Sequence, residues 1–338
     1  MKKKIIPEPN LVDVIHDKTT ERLLTSFVPR LLHKELETHA SHASYSRVFP
    51  AVCLIVDIVG FIPHVSRNNS RGEEGLVQLI TLTNAFVSSL VSHILVYGGD
   101  VVELSSGSSL ICIFHPTDRT RKSYLQSCKT AVQCAWELKE RTLGSLDVEV
   151  RTGISFGDIS LGLLGGFDNS WRFLIAGQCK HQIATALQNQ SSKTLIVSRE
   201  VKDLLWEGKQ QQQQQDHRDG MNNNNEDISF DPCLMDSGFF MVKMFKTNMK
   251  KPSLSTSNFL NTFSNEFPTS SVNNDNELFD FYAQLCSFAP RPVVQSSINL
   301  LFDSLSCVEE VAVLFIRMDG YKGMDDTHAR THTHTHIL

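Results

Sequence analysis

The run Val52-Cys53-Leu54-Ile55-Val56-Asp57-Ile58-Val59-Gly60-Phe61 is apolar at consecutive positions and carries a single carboxylate. A strand of this kind is too apolar to stand as an exposed edge, so the chain has to fold around it. Asp57 therefore emerges from a buried element with little freedom to move. The residues that follow, through Gly60, can turn tightly enough for backbone N–H groups to face phosphate oxygens. A fixed carboxylate beside a glycine-containing turn suits a metal ion held next to a polyphosphate. The same pattern also describes an Asp that opens an ordinary strand-to-loop turn, so the surrounding elements have to decide.

Gly75 to Leu95 reads as one long helix, with Leu76, Leu79, Ile80, Thr83, Phe86, Val87, Leu90, Val91, Ile94 and Leu95 recurring at three- and four-residue steps. Gly98-Gly99 ends it. Asp100–Leu104 and Leu110–Phe114 read as short strands joined by Ser105-Ser106-Gly107-Ser108-Ser109, a hairpin by its turn chemistry. A second amphipathic helix over Tyr124–Thr142 leads into a strand over Val148–Phe156. The order strand, helix, strand, strand, helix, strand is that of ferredoxin-like sheets.

On Val56-Asp57-Ile58-Val59-Gly60-Phe61, Tyr97-Gly98-Gly99-Asp100, Arg151-Thr152-Gly153-Ile154-Ser155-Phe156-Gly157-Asp158-Ile159 and Phe173-Leu174-Ile175-Ala176-Gly177-Gln178, the chain resembles the catalytic domains of the class III nucleotidyl cyclases. Within them it is most similar to the soluble, bicarbonate-responsive adenylyl cyclases and their soluble guanylyl cyclase relatives. The resemblance covers residues from about 47 to 190, with a closing strand expected at Phe239–Phe245. It implies an α+β domain with a ferredoxin-like βαββαβ core, acting on ATP or GTP to form the cyclic 3′,5′-monophosphate and pyrophosphate.

In that family two aspartates of one half hold two divalent ions, Mg²⁺ or Mn²⁺, for two-metal catalysis. Asp57 matches the first, and Ile58, Val59, Gly60 and Phe61 are then expected to face the nucleotide phosphates. The second aspartate should follow a glycine in the hairpin turn, where this chain has Ser108. A neutral hydroxyl brings no charge to a hard divalent ion, so the metal site is expected to be weakened. A shifted hairpin that brings in Glu103 is the alternative to a solvated Glu103. Glu103 and Ala184 also stand where the bicarbonate-responsive enzymes carry a lysine and an arginine, and Lys180 and His181 read as surface helix residues. The catalytic residues that stabilise the transition state come from the other half in this family, so none is assigned here. The partner is expected to be a second cyclase homology half, supplied in cis or by dimerisation. The other reading is a catalytically inactive, cyclase-like regulatory or dimerisation module.

Residues 1–46 form a lead-in expected to be mainly helical over Asn10–Glu37, and the cyclase homology domain is placed at 47–250. Within it, Gln210–Gln215 and Asn222–Asn225 cannot bury apolar surface. A disordered insertion is expected at about 207–228, looping out of the last hairpin. Residues 251–305 read as a polar linker. Val311–Tyr321 repeats the pattern of the first strand, with Arg317 in the place of Asp57, and 306–326 is read as the start of a second, truncated cyclase domain. The Thr/His alternation at 327–338 can bind a transition metal weakly, but it is also what a translated dinucleotide repeat yields, and a gene-model artefact is expected. At 338 residues and 41% apolar content the chain can fill a sizeable core, and a net charge of −5 speaks against a nucleic-acid-binding surface. No signal peptide follows the basic start. The longest clean apolar run, Ala51–Val56, is far short of a membrane span. Eight cysteines without a Cys-x-x-Cys pair read as reduced thiols in a cytoplasmic protein.

Overall fold

A computed structural model describes residues 28–38, 44–60, 71–105, 109–139, 148–167, 170–219, 227–233, 238–247, 249 and 287–288. Its elements are α1 (Arg30–Thr38), β1 (Tyr45–Val59), α2 (Gly72–Val96), β2 (Asp100–Ser105), β3 (Ser109–Phe114), α3 (Arg121–Lys139), β4 (Glu149–Phe167), β5 (Ser170–Ala176), α4 (Gln178–Gln188), β6 (Leu195–Ser198), α5 (Arg199–Asp219), β7 (Asp227–Pro232) and β8 (Phe239–Lys246). The strands make one sheet in the order β2-β3-β1-β4-β6-β8-β7, with β5 paired to β4 off that path.

The βαββαβ core is present, and its spatial order β2-β3-β1-β4 with antiparallel pairings is the ferredoxin-like one. β1 lies between β3 and β4, which is where a strand without polar alternation belongs: Val52, Cys53, Leu54 and Val56 are fully buried. Successive residues serve opposite faces. Val52, Leu54, Val56 and Ile58 pack under Phe86, Leu90 and Ile94 of α2 and the Ala131–Leu138 stretch of α3. Phe49, Ala51, Cys53 and Ile55 pack under Leu31 and Leu32 of α1 and Ile183, Ala186 and Leu187 of α4. Asp57 falls on this second face, at the end of that row.

The helix stop at Gly98-Gly99 rests on two different effects. Gly98 sits at φ 77°, which an L side chain adopts only at a cost. Gly99 is there for space, because a Cβ would meet Ile94 Cγ2 and Phe114 Cζ at 2.7 Å. Gly99→Ala is therefore expected to lower stability by about 1–3 kcal/mol through overpacking, and Gly98→Ala by about 1 kcal/mol through backbone strain. Urea denaturation of the two variants checks this, and unchanged midpoints would contradict the packing described.

Two expectations are corrected. The glutamine run is helical rather than disordered, since α5 continues through Asp219. Glutamine is a good helix former, and the packed start of α5, with Val201, Leu204 and Leu205 buried, supplies the nucleus that an isolated tract lacks. The tract precedes the closing hairpin instead of looping out of it, because β7 pairs with β8 after it. The segment Val77–Val96 of α2, 20 residues, is long and apolar enough to cross a membrane by length and composition. Polar residues interrupt it, so it is not a clean apolar run, and its Phe86, Leu90 and Ile94 are buried against the sheet. Asn222–Asn225, the 306–326 repeat and the Thr/His tail lie outside the described residues. Among the described residues, Cys53, Cys112, Cys128, Cys134, Cys179 and Cys233 are buried free thiols. Burial pushes Cys128 up to about 12 and Cys53 and Cys112 up as well, so these thiols stay protonated and inert.

Candidate nucleotide and metal site

Asp57 is the last residue of β1 that pairs on both sides, opposite Ser109 of β3 and Arg151 of β4. Both of its oxygens are engaged. The Ser109 hydroxyl donates to Asp57 Oδ1 at 2.7 Å, and the Arg151 guanidinium donates to Oδ2 through Nε at 2.7 Å and Nη2 at 2.7 Å. The same guanidinium donates through Nη1 to the carbonyls of Gln188, at 3.1 Å, and Gln190, at 2.7 Å. Arg151 thus bridges the carboxylate to the C-terminal end of α4, where orphan carbonyls favour a cation. The Asp57 and Arg151 side chains are 18% and 20% exposed, so this is a charge-assisted pair at the rim of the core rather than a surface contact.

Beyond Asp57 the ladder to β3 stops while the ladder to β4 continues through Ile58 and Val59. The strand therefore runs to Val59, and the turn begins at Gly60 with φ 90°. The Ile58 side chain is a core residue, and Phe61 lies outside the described residues. The β2–β3 hairpin closes as expected, with Ser105 opposite Ser109. Gly107 and Ser108, between the two strands in sequence, lie outside the described residues, and Ser109, the first residue of β3, reaches Asp57.

Glu103 is neither a free, solvated position nor a stand-in at Asp57. Its carboxylate takes the Lys180 ammonium of α4 at 2.6 Å, and Lys180 also donates to the Ile175 carbonyl at 3.0 Å. Lys180, 19% exposed, is thus not the surface residue that helix spacing suggested, whereas His181 is exposed. Ala184 packs on the cluster beneath α4. Asp100 accepts the Arg30 N–H at 3.1 Å and the Leu31 N–H at 2.7 Å, capping α1 from a distant strand.

Among the described residues the donor set fits at most a weakly held divalent ion. Asp57 is one carboxylate with both oxygens already accepting hydrogen bonds, and among the described residues no three His, Cys, Asp or Glu side chains come together. The residue that sequence reasoning missed is Arg151. It stood inside a recognised motif, but only the register of β1 on β4 shows that it faces Asp57.

No protein-family profile matches the chain. Adenylate cyclase type 10 of Mus musculus is 25% identical over 157 residues, covering 45% of this chain and 10% of that protein. Adenylate cyclase type 10 of Homo sapiens is 26% identical over 155 residues, covering 44% of this chain and 9% of that protein. The adenylyl cyclase CyaB from P. aeruginosa superposes with a TM-score of 0.42 at 15% identity, over 62% of this chain and 99% of that one. Over these roughly 155 residues the chain is homologous to adenylate cyclase type 10. The chain spans about a tenth of the length of these relatives.

Proposed function

We propose that the chain is a purine nucleotidyl cyclase domain whose own half of the catalytic site is impaired, serving intracellular cyclic-nucleotide signalling as one member of a pair of cyclase halves. The observation that carries this reading is Asp57, fixed at the end of a buried strand beside the Gly60 turn. ATP or GTP would lie with its phosphates over that turn, and any Mg²⁺ or Mn²⁺ would be held weakly, through Asp57 without a carboxylate at Ser108. The Arg151 guanidinium, held by Asp57 and by the Gln188 and Gln190 carbonyls, would keep that carboxylate in place. The repeat at Val311–Tyr321 supports a second half in cis, and the buried free thiols support a cytoplasmic setting.

The second reading, an inactive regulatory or dimerisation module, draws on the closed Ser109–Asp57–Arg151 network, which satisfies the carboxylate without any ligand. One experiment separates the two. Mn²⁺-dependent binding of ATP and GTP is measured for the unchanged chain and for Asp57→Ala. The cyclase reading expects binding by the former and a loss of at least about tenfold in the latter. Equal affinities would sink the assignment of Asp57, and no binding by either chain would favour the inactive module.

Bicarbonate is expected not to stimulate the domain. The Lys180 cation that a small anion would seek is already neutralised by Glu103, and a second carboxylate-like anion beside Glu103 would be repelled. Cyclase activity of the chain together with a complementary half, assayed at fixed pH with rising bicarbonate, tests this. A dose-dependent activation would overturn it.

A further inference from the structure

β2 is an edge strand, paired in the sheet only to β3, and its ladder is irregular between Val101 and Glu103. The sheet holds this strand on one side only, through an interrupted ladder, with Val101 and Val102 packed on the two core clusters. Two charged ties from outside the sheet add to this hold. Glu103 is held by Lys180 of α4. At the start of the strand, the Asp100 carboxylate takes the first two N–H groups of α1, a helix whose Leu31, Leu32 and Leu36 are buried on the same sheet face as Asp57's row. Burial pushes the Asp100 carboxyl up from its ordinary value, and the Leu31 and Arg30 N–H groups and the Arg30 and Lys34 charges oppose that. A partly buried carboxylate with these contacts anchors both partners at once. From Asp100 the path to the site is short: β2 ends at Ser105, Ser105 lies opposite Ser109, and the Ser109 hydroxyl donates to Asp57.

We propose that Asp100 is a positioning residue for the Asp57 turn: by capping α1 it pins the start of β2 and thereby sets the hairpin whose far end holds Asp57. The proposal rests on the reading of Asp57 and its turn as the nucleotide site. It makes the segment before β1 a control element, since whatever docks or lifts α1 moves the hairpin beside Asp57. A purely local cap would stabilise α1 and leave the hairpin unaffected.

The test is hydrogen exchange on the full chain, unchanged and as Asp100→Asn, read at 30–38, at 104–110 and, as an internal reference, at 152–156. Asp100→Asn keeps the shape and removes the charge. Exchange is expected to rise at least about tenfold at both 30–38 and 104–110, with 152–156 unchanged. A rise confined to 30–38 would overturn the proposal. Leu31→Ala serves in case Asp100→Asn does not fold: it leaves Asp100 intact, weakens the docking of α1 through lost packing, and is expected to loosen 104–110 as well. Protection of 104–110 that survives in Leu31→Ala while 30–38 opens is the second overturning result. Mn²⁺-ATP affinity measured on the same samples should weaken at least about threefold in both variants. If the unchanged chain binds no nucleotide, the functional reading fails on that readout, and the exchange pattern still decides the coupling.

Discussion

Ser108→Asp, assayed with Mn²⁺ and a complementary cyclase half supplied in trans, is expected to form cAMP or cGMP at least about 10²-fold faster than the unchanged chain. The reasoning is electrostatic. A site that offers a hard divalent ion one carboxylate, already shared with Ser109 and Arg151, leaves most of the ion's charge uncompensated. An aspartate at 108, next in sequence to the Ser109 that contacts Asp57, adds a full negative charge for the ion, and by comparison a single oxyanion-hole donor is worth about 10²–10³ in rate. The measurement is the initial rate of cyclic nucleotide formation at matched protein concentrations. Robust turnover by the unchanged chain would refute the impaired site, and equal low rates in both would place the defect outside the turn.

Arg151→Ala is expected to cost about 3 kcal/mol of folding stability, more than any surface ion pair on this domain. The loss is larger than a single contact because the guanidinium satisfies three acceptors, the Asp57 carboxylate and the carbonyls of Gln188 and Gln190. Removing it leaves a charge at the rim of the core without its counter-ion and two carbonyls at the end of α4 without a donor. Asp57→Asn in the same chain removes the stranded charge and should recover part of the loss. Urea unfolding of the two single variants and the double variant yields the coupling energy. A coupling near zero would show that Asp57 and Arg151 do not form the pair described.

What could be read from the sequence was set by how local each signal is. β1, β3, α2 and α3 announce themselves through apolar runs and three- or four-residue spacing, and the glycines at 98 and 99 mark a stop wherever they stand. The far half of β4 did not, because Gly157, Gly162 and Gly165 dilute a strand pattern that only pairing with β1 and β5 restores. β7 was hidden behind a low-complexity tract, whose composition speaks of disorder while its helix depends on the packed turns before it. The site divides the same way. Asp57 was legible because its strand and turn are contiguous. Its partner Arg151 lies 94 residues away, and the Glu103–Lys180 pair spans 77 residues. Such pairs exist only once the sheet register is fixed, and no spacing rule along the chain contains that register.

The position of the glutamine run has a consequence for how the domain can vary. Loop-closure entropy is charged to whatever chain separates two pairing strands. The loop that must close to bring Asp57 to Arg151 runs from β1 to β4 and is complete before α5 begins. Extra residues at Gln210–Gln215 therefore leave that closure untouched and fall only on the return of β7 and β8 to β6. Each doubling of that connection costs only about 0.6 kcal/mol. Residues added there would loosen the last hairpin of the sheet and leave the search that assembles the site unchanged.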